Sequence, residues 1–521
     1  MSLANRPETT DLAASDTAPS TGTPLFSRGY KSAVLSLLVL AYTFNFIDRT
    51  IISTIGQAIK LDLKLSDTQL GLLGGLSFAV LYTLLGIPIA RLAERWNRVS
   101  IISLAMVVWS GFTVACGFAG GFVQLLALRV GVGVGEAGCS PPAHSLISDY
   151  YEPKRRASAL SVYSFGIPLG SMIGAVAGGW LAKTYGWRVA FMVVGAPGVI
   201  LALLIKLIVR EPPRGHSDPP ERPALPEDVT AHAPPAKAAF SLAGEASELM
   251  AVARNLFGSW PVLNMVIGVT LASFGGYGSG AFGAPYFIRA FGLDYATVGL
   301  IFGLVGGFSS GIGTLAGGLI TDWASRRGAR WYALVPAIGL AIATPIYILA
   351  YSEPNWRTAA LILLLPGIFH YTYLGPTFGV VQNVVESRRR ATATALLFLV
   401  LNIIALGGGP LFTGWIIDQL AQFHFTHPTA GSGLLRSLSG LTHAGHGAAP
   451  FAVDCPGGVA RAGGGAVLDA RCKGALIVAT RQGIVVTLLF YAWAAFHYLL
   501  GAFGLARRLA QAAAERSARQ A

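Results

Sequence analysis

Twelve stretches of this chain run for about twenty residues or more with very little charge, and that one feature leaves few folds open. They are 31–55, 67–90, 99–118, 121–148, 157–183, 188–209, 259–288, 296–321, 331–350, 358–384, 391–419 and 483–506. A helix needs about 20 apolar residues to cross a hydrocarbon core of ~30 Å. Inside lipid every backbone N–H and C=O must be satisfied by the protein itself, so only helices and closed barrels span it. None of the twelve shows the sustained alternation of a barrel strand. The expected class is an all-α integral membrane protein. Composition agrees: only 12% of the 521 residues are charged, where a soluble chain carries about 25%. The 64 glycines suit membrane helices that pack backbone to backbone.

Lys and Arg set the orientation. With the N-terminus in the cytoplasm, 25 of the 38 basic residues fall on that side and 11 on the other, while Arg49 and Arg129 lie within helices. Both termini are therefore expected in the cytoplasm, with the chain in a bacterial inner (plasma) membrane. The net charge of +13 is spread over helix ends as a topology signal, so no nucleic-acid partner is expected. Residues 1–29 read as a disordered tail, 30–210 as a six-helix bundle, 211–256 as a cytoplasmic linker, 257–507 as a second bundle and 508–521 as another tail. The linker opens Pro-rich and charged, and its end, 240–256, reads as an amphipathic helix for the membrane surface. Residues 421–481 form a Gly-rich extracytoplasmic loop in the second bundle. It holds Cys455 and Cys472, which an oxidising compartment permits to pair but does not oblige to. Cys116 and Cys139 read as packing residues.

The two halves repeat. ARLAERWNR (Ala90–Arg98) follows the second stretch and GLITDWASRR (Gly318–Arg327) the eighth, with Glu94 and Asp322 offset by 228 residues. EPKRRASA (Glu152–Ala159) follows the fourth and ESRRRATA (Glu386–Ala393) the tenth, offset by 234. Two loops repeating at nearly one offset indicate duplication of a six-helix unit, a signature of transporters. In this duplication and in LAERWNR the chain resembles the major facilitator superfamily, although Glu94 and Asn97 stand where that superfamily usually has Asp and Gly. More narrowly, NFIDRTIIS (Asn45–Ser53) and RVGVGVGEAGCSPPAHSLISDYY (Arg129–Tyr151) are similar to the spinster family of lysolipid and sphingolipid transporters. Organic-anion transporters of the same superfamily share the DR and GxGE elements. The resemblance implies a major facilitator fold of twelve transmembrane helices, in two pseudo-symmetric bundles that rock about a central site.

Ionisable groups within spanning helices are rare, because a charge at the bilayer centre costs about 3 kcal/mol or more. Helix one carries Asp48 and Arg49, and helix four carries Arg129 and Glu136. At ~1.5 Å per residue, Asp48 and Arg129 reach similar heights, while Glu136 lies nearly two turns deeper. One reading is structural pairing of the two helices. The other is proton coupling, in which Arg129 passes between Asp48 and Glu136 and changes their proton affinity. The spinster resemblance implies a functional role for Asp48, Arg129 and Glu136.

The acidic–basic loops read as a cytoplasmic gate. Glu94 groups with Arg95, Arg98, Arg155 and Arg156, and Asp322 with Arg326 and Arg327 mirrors them; the plainer reading is that the basic groups only set topology. Gly166, Gly170, Gly174 and Gly178 make a small-residue stripe on helix five, matched by GGGPLFTG (Gly407–Gly414) on helix eleven. Tyr42, Asn45, Phe46, Tyr82, Tyr163, Tyr277, Tyr371 and Asn402 are the expected substrate contacts, a set suited to an amphipathic ligand. His144 and His370 read as packing residues. The sequence holds no GxxxxGK[ST] loop, no nucleophile elbow and no metal-ligand cluster. Neither a nucleotide-driven pump nor an enzyme is expected, and no cofactor beyond the proton as coupling ion. The reading is a monomeric, proton-coupled transporter of an amphipathic organic anion such as a lysophospholipid or sphingoid lipid. A symporter of small carboxylates and a non-transporting receptor on the same scaffold are the alternatives.

Overall fold

The computed structural model of the chain describes residues 26–214, 216–217, 250–254, 256–385, 390–428, 433–441 and 450–518. Most of the N-terminal tail and of the linker lies outside these. Every regular element among the described residues is helical. Among the described residues eleven helical segments are long and apolar enough to cross a membrane. The largest, Ala159–Ile208, has 50 residues, more than twice the length that a hydrocarbon core requires. Gly186 breaks it, with φ 84° and ψ 164°. Such a positive φ is open to Gly without a Cβ clash, so the chain turns there and the segment is two spans. Twelve spans result: α1 Arg28–Leu63, α2 Asp67–Gly86, α3 Arg98–Cys116, α4 Phe122–Tyr150, α5 and α6 on either side of Gly186, α7 Trp260–Phe291, α8 Tyr295–Ser325, α9 Trp331–Ser352, α10 Trp356–Val381, α11 Thr392–Thr426 and α12 Gly465–Ala502.

Local chemistry fixes several ends. Ser27 caps α1 by accepting from the Tyr30 N–H. Ser66 and Gln69 form a reciprocal capping box at the start of α2. Asp294 accepts from the N–H groups of Ala296 and Thr297 at the start of α8. Side-chain oxygens there satisfy first-turn donors that have no partner within the helix.

Two apolar cores form, one from residues 26–209 and one from residues 252–505, the second also taking in Leu70 of α2. The end of the linker joins the second core. Met250–Arg254 is helical, and Val252 and Leu256 are fully buried against that bundle; residues 240–249, the rest of the expected amphipathic helix, lie outside the described residues. α11 continues to Thr426 and α12 begins at Gly465, beyond the apolar stretches 391–419 and 483–506. Hydropathy marks the lipid-facing part of a helix and not its polar extension.

One face of the molecule carries the start of α1 and the end of α12 (the terminal face); the opposite, distal face carries the α1–α2, α5–α6, α7–α8 and α11–α12 connections. The bundles meet in the distal half. Gly179 of α5 abuts the Tyr295 backbone of α8, Gly71 of α2 abuts Pro410 of α11, and Gly414 of α11 abuts Asp67. Toward the terminal face Phe165 of α5 and Phe308 of α8 are 61% and 63% exposed. The molecule is closed distally and open at the terminal face.

Within the first bundle the stripe Gly166, Gly170, Gly174 and Gly178 lies against α1 from Val39 to Ile51. A methyl at Gly170 would overlap the Thr43 carbonyl oxygen, and overpacking of this kind costs roughly 1–3 kcal/mol. Gly170→Ala is expected to lower the melting temperature of the purified protein by several degrees. Gly29→Ala, where nothing lies within 4 Å, is expected to leave it unchanged. Equal melting temperatures would contradict this packing.

Candidate functional site

Consecutive residues on a helix point ~100° apart, and that separation sends Asp48 and Arg49 to different partners. Asp48 turns into the first bundle. It accepts from the Thr113 hydroxyl of α3 and, at 3.3 Å, from Nη1 of Arg129 on α4. Arg49 turns toward α2 and the deeper part of α4, where its Nε donates to Glu136 Oε2 at 2.7 Å. Each carboxylate therefore has its own arginine. Arg129 does not serve Glu136 in this state, because seven residues along α4 separate them by ~10 Å of rise. The side chains of Asp48, Arg129 and Glu136 are at most 3% exposed, whereas that of Arg49 is 21% exposed. Arg49 is thus the member of the quartet that opens to the space between the bundles. Two polar atoms of the quartet have no protein partner, Glu136 Oε1 and Arg129 Nε.

Aromatic rings surround Arg49. Its guanidinium carbon lies 5.1, 4.6 and 4.7 Å from the ring centroids of Phe46, Phe78 and Tyr82. Tyr42 stacks on Tyr163 at 4.4 Å and meets Phe46 edge-on at 5.2 Å. From the second bundle Tyr277, 45% exposed, comes within electrostatic range of Arg49 and Tyr82, and of Tyr371 in its own bundle. Tyr371 in turn packs 4.4 Å from His370. Asn402 lies in Leu401–Gly407, a π-helical segment of α11, and α8 has another at Val305–Ser309. Such segments recur at functional sites, and these two face the first bundle: Gly307 packs on Met172, and Gly407 on Leu76. Among the expected contacts, Asn45 and Tyr163 are sealed within the first bundle, while Tyr42, Phe46, Tyr82, Tyr277, Tyr371 and Asn402 retain exposure. His144 bonds the Ser140 carbonyl at 2.8 Å, and His370 sits 3.4 Å from the Tyr491 hydroxyl.

A second charged cluster closes the distal face. Lys60, in the last turn of α1, lies 2.7 Å from Asp67, the first residue of α2. Arg289, in the last turn of α7, grips the same carboxylate from the other bundle at 2.6 and 3.2 Å. Gln57 of α1 and Thr480 of α12 accept from Arg289 at 2.7 and 2.8 Å. Asp418 of α11 accepts from the backbone N–H groups of Asp67 and Thr68 at 2.9 and 2.8 Å and from the Thr68 hydroxyl at 2.6 Å. The first N–H groups of a helix lack internal partners and favour a negative charge, so α11 caps α2 across the bundle interface. Each bundle contributes one cation and one anion, and their separation leaves neither with net charge. Nearer solvent, Lys183 of α5 meets Asp294 at 3.3 Å. The Thr297 N–H first, and then Lys183, hold the Asp294 carboxyl below the usual carboxylate range.

Sequence reasoning passed over this cluster, counting Lys60 and Arg289 as outer topology charges. A signal was present in the internal repeat. At the same offset of 228 residues that relates Glu94 to Asp322, Ser66 corresponds to Asp294, Gly71 to Gly299 and Gly75 to Gly303. The first pair caps α2 and α8, and the glycines are where these helices touch the opposite bundle.

Among the described residues the expected terminal-face gate shows no ion pair between the bundles. Arg95, Arg155, Asp322, Arg326 and Arg327 are exposed, and Arg327 lies 4.0 Å over the Trp323 ring. Arg98 is instead buried within the first bundle, bonded to Asp149, Glu211 and Ser145. The side chains of Glu94 and Arg156 lie outside the described residues. Among the described residues, the ion pairs that join the bundles lie at the distal face.

A sequence profile of the Major Facilitator Superfamily matches residues 38–408, and the chain belongs to that superfamily. It is a multi-pass secondary transporter and not an enzyme. Its fold is spinster-like: a solved bacterial homologue of the human lysosomal transporter spinster, in an inward-facing and unoccupied conformation, matches it with a TM-score of 0.76 at 35% identity, over 94% of this chain and 99% of that one. An MFS-type efflux pump of Mycolicibacterium smegmatis is 31% identical over 390 residues, 75% of this chain and 85% of the relative. Human protein spinster homolog 1 is 28% identical over 420 residues, 76% of this chain and 75% of the relative.

Hydrogen bonds to charged groups contribute roughly 1.5–3 kcal/mol, and Arg289 makes the cross-bundle bonds to Asp67 and Gln57 while Asp67 also keeps Lys60. Arg289→Gln is therefore expected to shift the balance from distal-closed toward distal-open molecules by about tenfold or more. Spin labels at Val123→Cys and Thr358→Cys, exposed positions at the distal ends of α4 and α10, report it by pulsed dipolar spectroscopy. A new long-distance population is expected. An unchanged distribution would remove Arg289 from the gate.

Proposed function

We propose that the chain couples protons to the movement of an amphipathic organic anion, of the lysophospholipid or sphingoid-phosphate type, across a bacterial inner membrane. The observation that carries this reading is the exposure of Arg49 beside buried Glu136. With Glu136 ionised, Arg49 is held by an internal partner. A proton on Glu136 removes that negative charge and leaves the guanidinium to attract an anion from the space between the bundles. Glu136 Oε1, without a protein partner, has a free lone pair for that proton. Anion and proton then favour each other's binding, and by linkage the departure of either promotes release of the other. Asp48 and Arg129 form a second, fully buried pair whose protonation loosens α1 from α4.

The walls fit an anion with an apolar body. Phe46, Tyr82, Tyr277 and Tyr371 retain exposure and offer rings and few amide or carboxamide groups, and such surfaces bury hydrocarbon while the tyrosine hydroxyls hold a polar head. A small carboxylate would need only Arg49, and the apolar walls would add nothing to its binding. In alternating access the distal cluster is one gate. The exposed Arg95, Arg155, Asp322, Arg326 and Arg327 on the terminal face, with Glu94 and Arg156, are the groups available to form the other. The positive-inside rule makes the terminal face cytoplasmic, so the state described is inward-open.

Proteoliposomes with an imposed pH gradient test the coupling. Wild-type protein is expected to accumulate a fluorescent lysophosphatidate but not a small hydroxycarboxylate. Glu136→Gln and Asp48→Asn are expected to lose gradient-driven accumulation by about tenfold or more, yet to retain part of the exchange at equal pH. Normal gradient-driven transport by either variant would sink the proposal, and accumulation of the small acid alone would favour a carboxylate symporter.

A further inference from the structure

The segment between Cys455 and Cys472 grows from the second bundle but rests on the first. The two cysteines are joined in a disulfide, with Cys472 near the start of α12. Beside it Arg471 donates to the Phe425 carbonyl at the end of α11, at 2.9 and 2.6 Å, and lies 4.5 Å over that residue's ring. The base of the loop is thus tied to α11 and α12. Its tip, Pro456–Gly458, turns through two positive-φ glycines, at 70° and 92°, and reaches the end of α1. A Cβ on Gly457 would stand 3.2 Å from both the Lys60 carbonyl oxygen and Lys64 Cα, and one on Gly458 would stand 3.7 Å from Lys60 Cε. Beneath that tip, Lys60 is 1% exposed and paired with Asp67. Two turns along α12 from Cys472, Thr480 holds Arg289, the other cation of the same cluster.

We propose that the disulfide-closed loop is a strap laid across the two bundles, and that it biases the transporter toward the distal-closed state; this rests on the reading of the Lys60–Asp67–Arg289–Asp418 cluster as the distal gate. Two physical effects act together. The loop keeps water from the ion pairs, which weaken as the surrounding dielectric rises. It also ties the contact on α1 to α12, because Cys455 cannot follow α1 outward while it is bonded to Cys472. Opening the gate must therefore pull the end of α1 out from under Gly457 and Gly458. Both cysteines are buried, at 2% and 0%, so the bond is a fixed brace rather than a sensor of ambient thiols.

The Val123→Cys/Thr358→Cys spin-label pair, in full-length protein in lipid nanodiscs, tests the strap against the gate. Cys455→Ser/Cys472→Ser is expected to enlarge the long-distance population at least threefold. Gly457→Asn, which keeps the disulfide and suits a positive φ but crowds Lys60, is expected to shift it in the same direction and guards against misfolding of the cysteine-free chain. If Arg289→Gln lengthens the distances and neither loop variant does, the strap is overturned while the gate stands. If Arg289→Gln has no effect either, the gate reading fails and the strap with it.

Discussion

A charge in hydrocarbon persists only beside an opposite charge, and much of this molecule is arranged by that requirement. Asp48 and Glu136 cannot both be neutralised by Arg129, because they project from different helices at different depths. Arg49 supplies the second cation, and it can do so because it follows Asp48 directly and points toward the other side of α1. The resulting pairs fasten α1 to α4. On its other side α1 is fastened by the glycine stripe of α5, which brings the two backbones into contact over three turns. The first bundle is therefore a rigid body with a charged seam, and only one group of that seam, Arg49, reaches the space where a substrate would lie.

The same requirement shapes the distal face. Four charges from four helices meet there, and they divide evenly between the bundles. A gate that had to separate unlike charges would resist opening by the full Coulomb attraction. Here opening separates Arg289 from Asp67, but Lys60 keeps Asp67, and Arg289 and Asp418 move off on the same bundle, so each bundle leaves with one cation and one anion. The N-terminus of α2 loses its cap, since Asp418 provides it from across the interface, and Gln57 of α1 loses Arg289. In this account, distal opening uncovers two backbone donors that water must then satisfy.

Much of this architecture was legible in the sequence. Twelve apolar stretches marked twelve spans, and the break between 157–183 and 188–209 fell where Gly186 turns the chain even though its neighbours stay helical. Asp48 and Arg129 could be paired from helical rise alone. The partner of Glu136 could not, because rise gives depth and says nothing of rotation about α1. The distal cluster was hidden for a different reason. Lys60, Asp67, Arg289 and Asp418 sit at the ends of apolar stretches, where a charge is ordinarily solvated, and only their convergence in space shows that they are buried. The terminal-face charges illustrate the converse. Their pattern is plain in the repeat, yet whether they are assembled depends on the conformation, which a sequence does not encode.

The central claim is that an anion at Arg49 and a proton at Glu136 arrive together. Direct measurement of proton exchange on binding tests it: purified protein in weak buffer with a pH indicator, titrated with a short-chain lysophosphatidate below its micellar range. Net proton uptake, approaching one per anion bound, is expected at mildly alkaline pH, and none in Glu136→Gln. Binding of the anion by the wild-type protein with no proton taken up, or with a proton released, would contradict it.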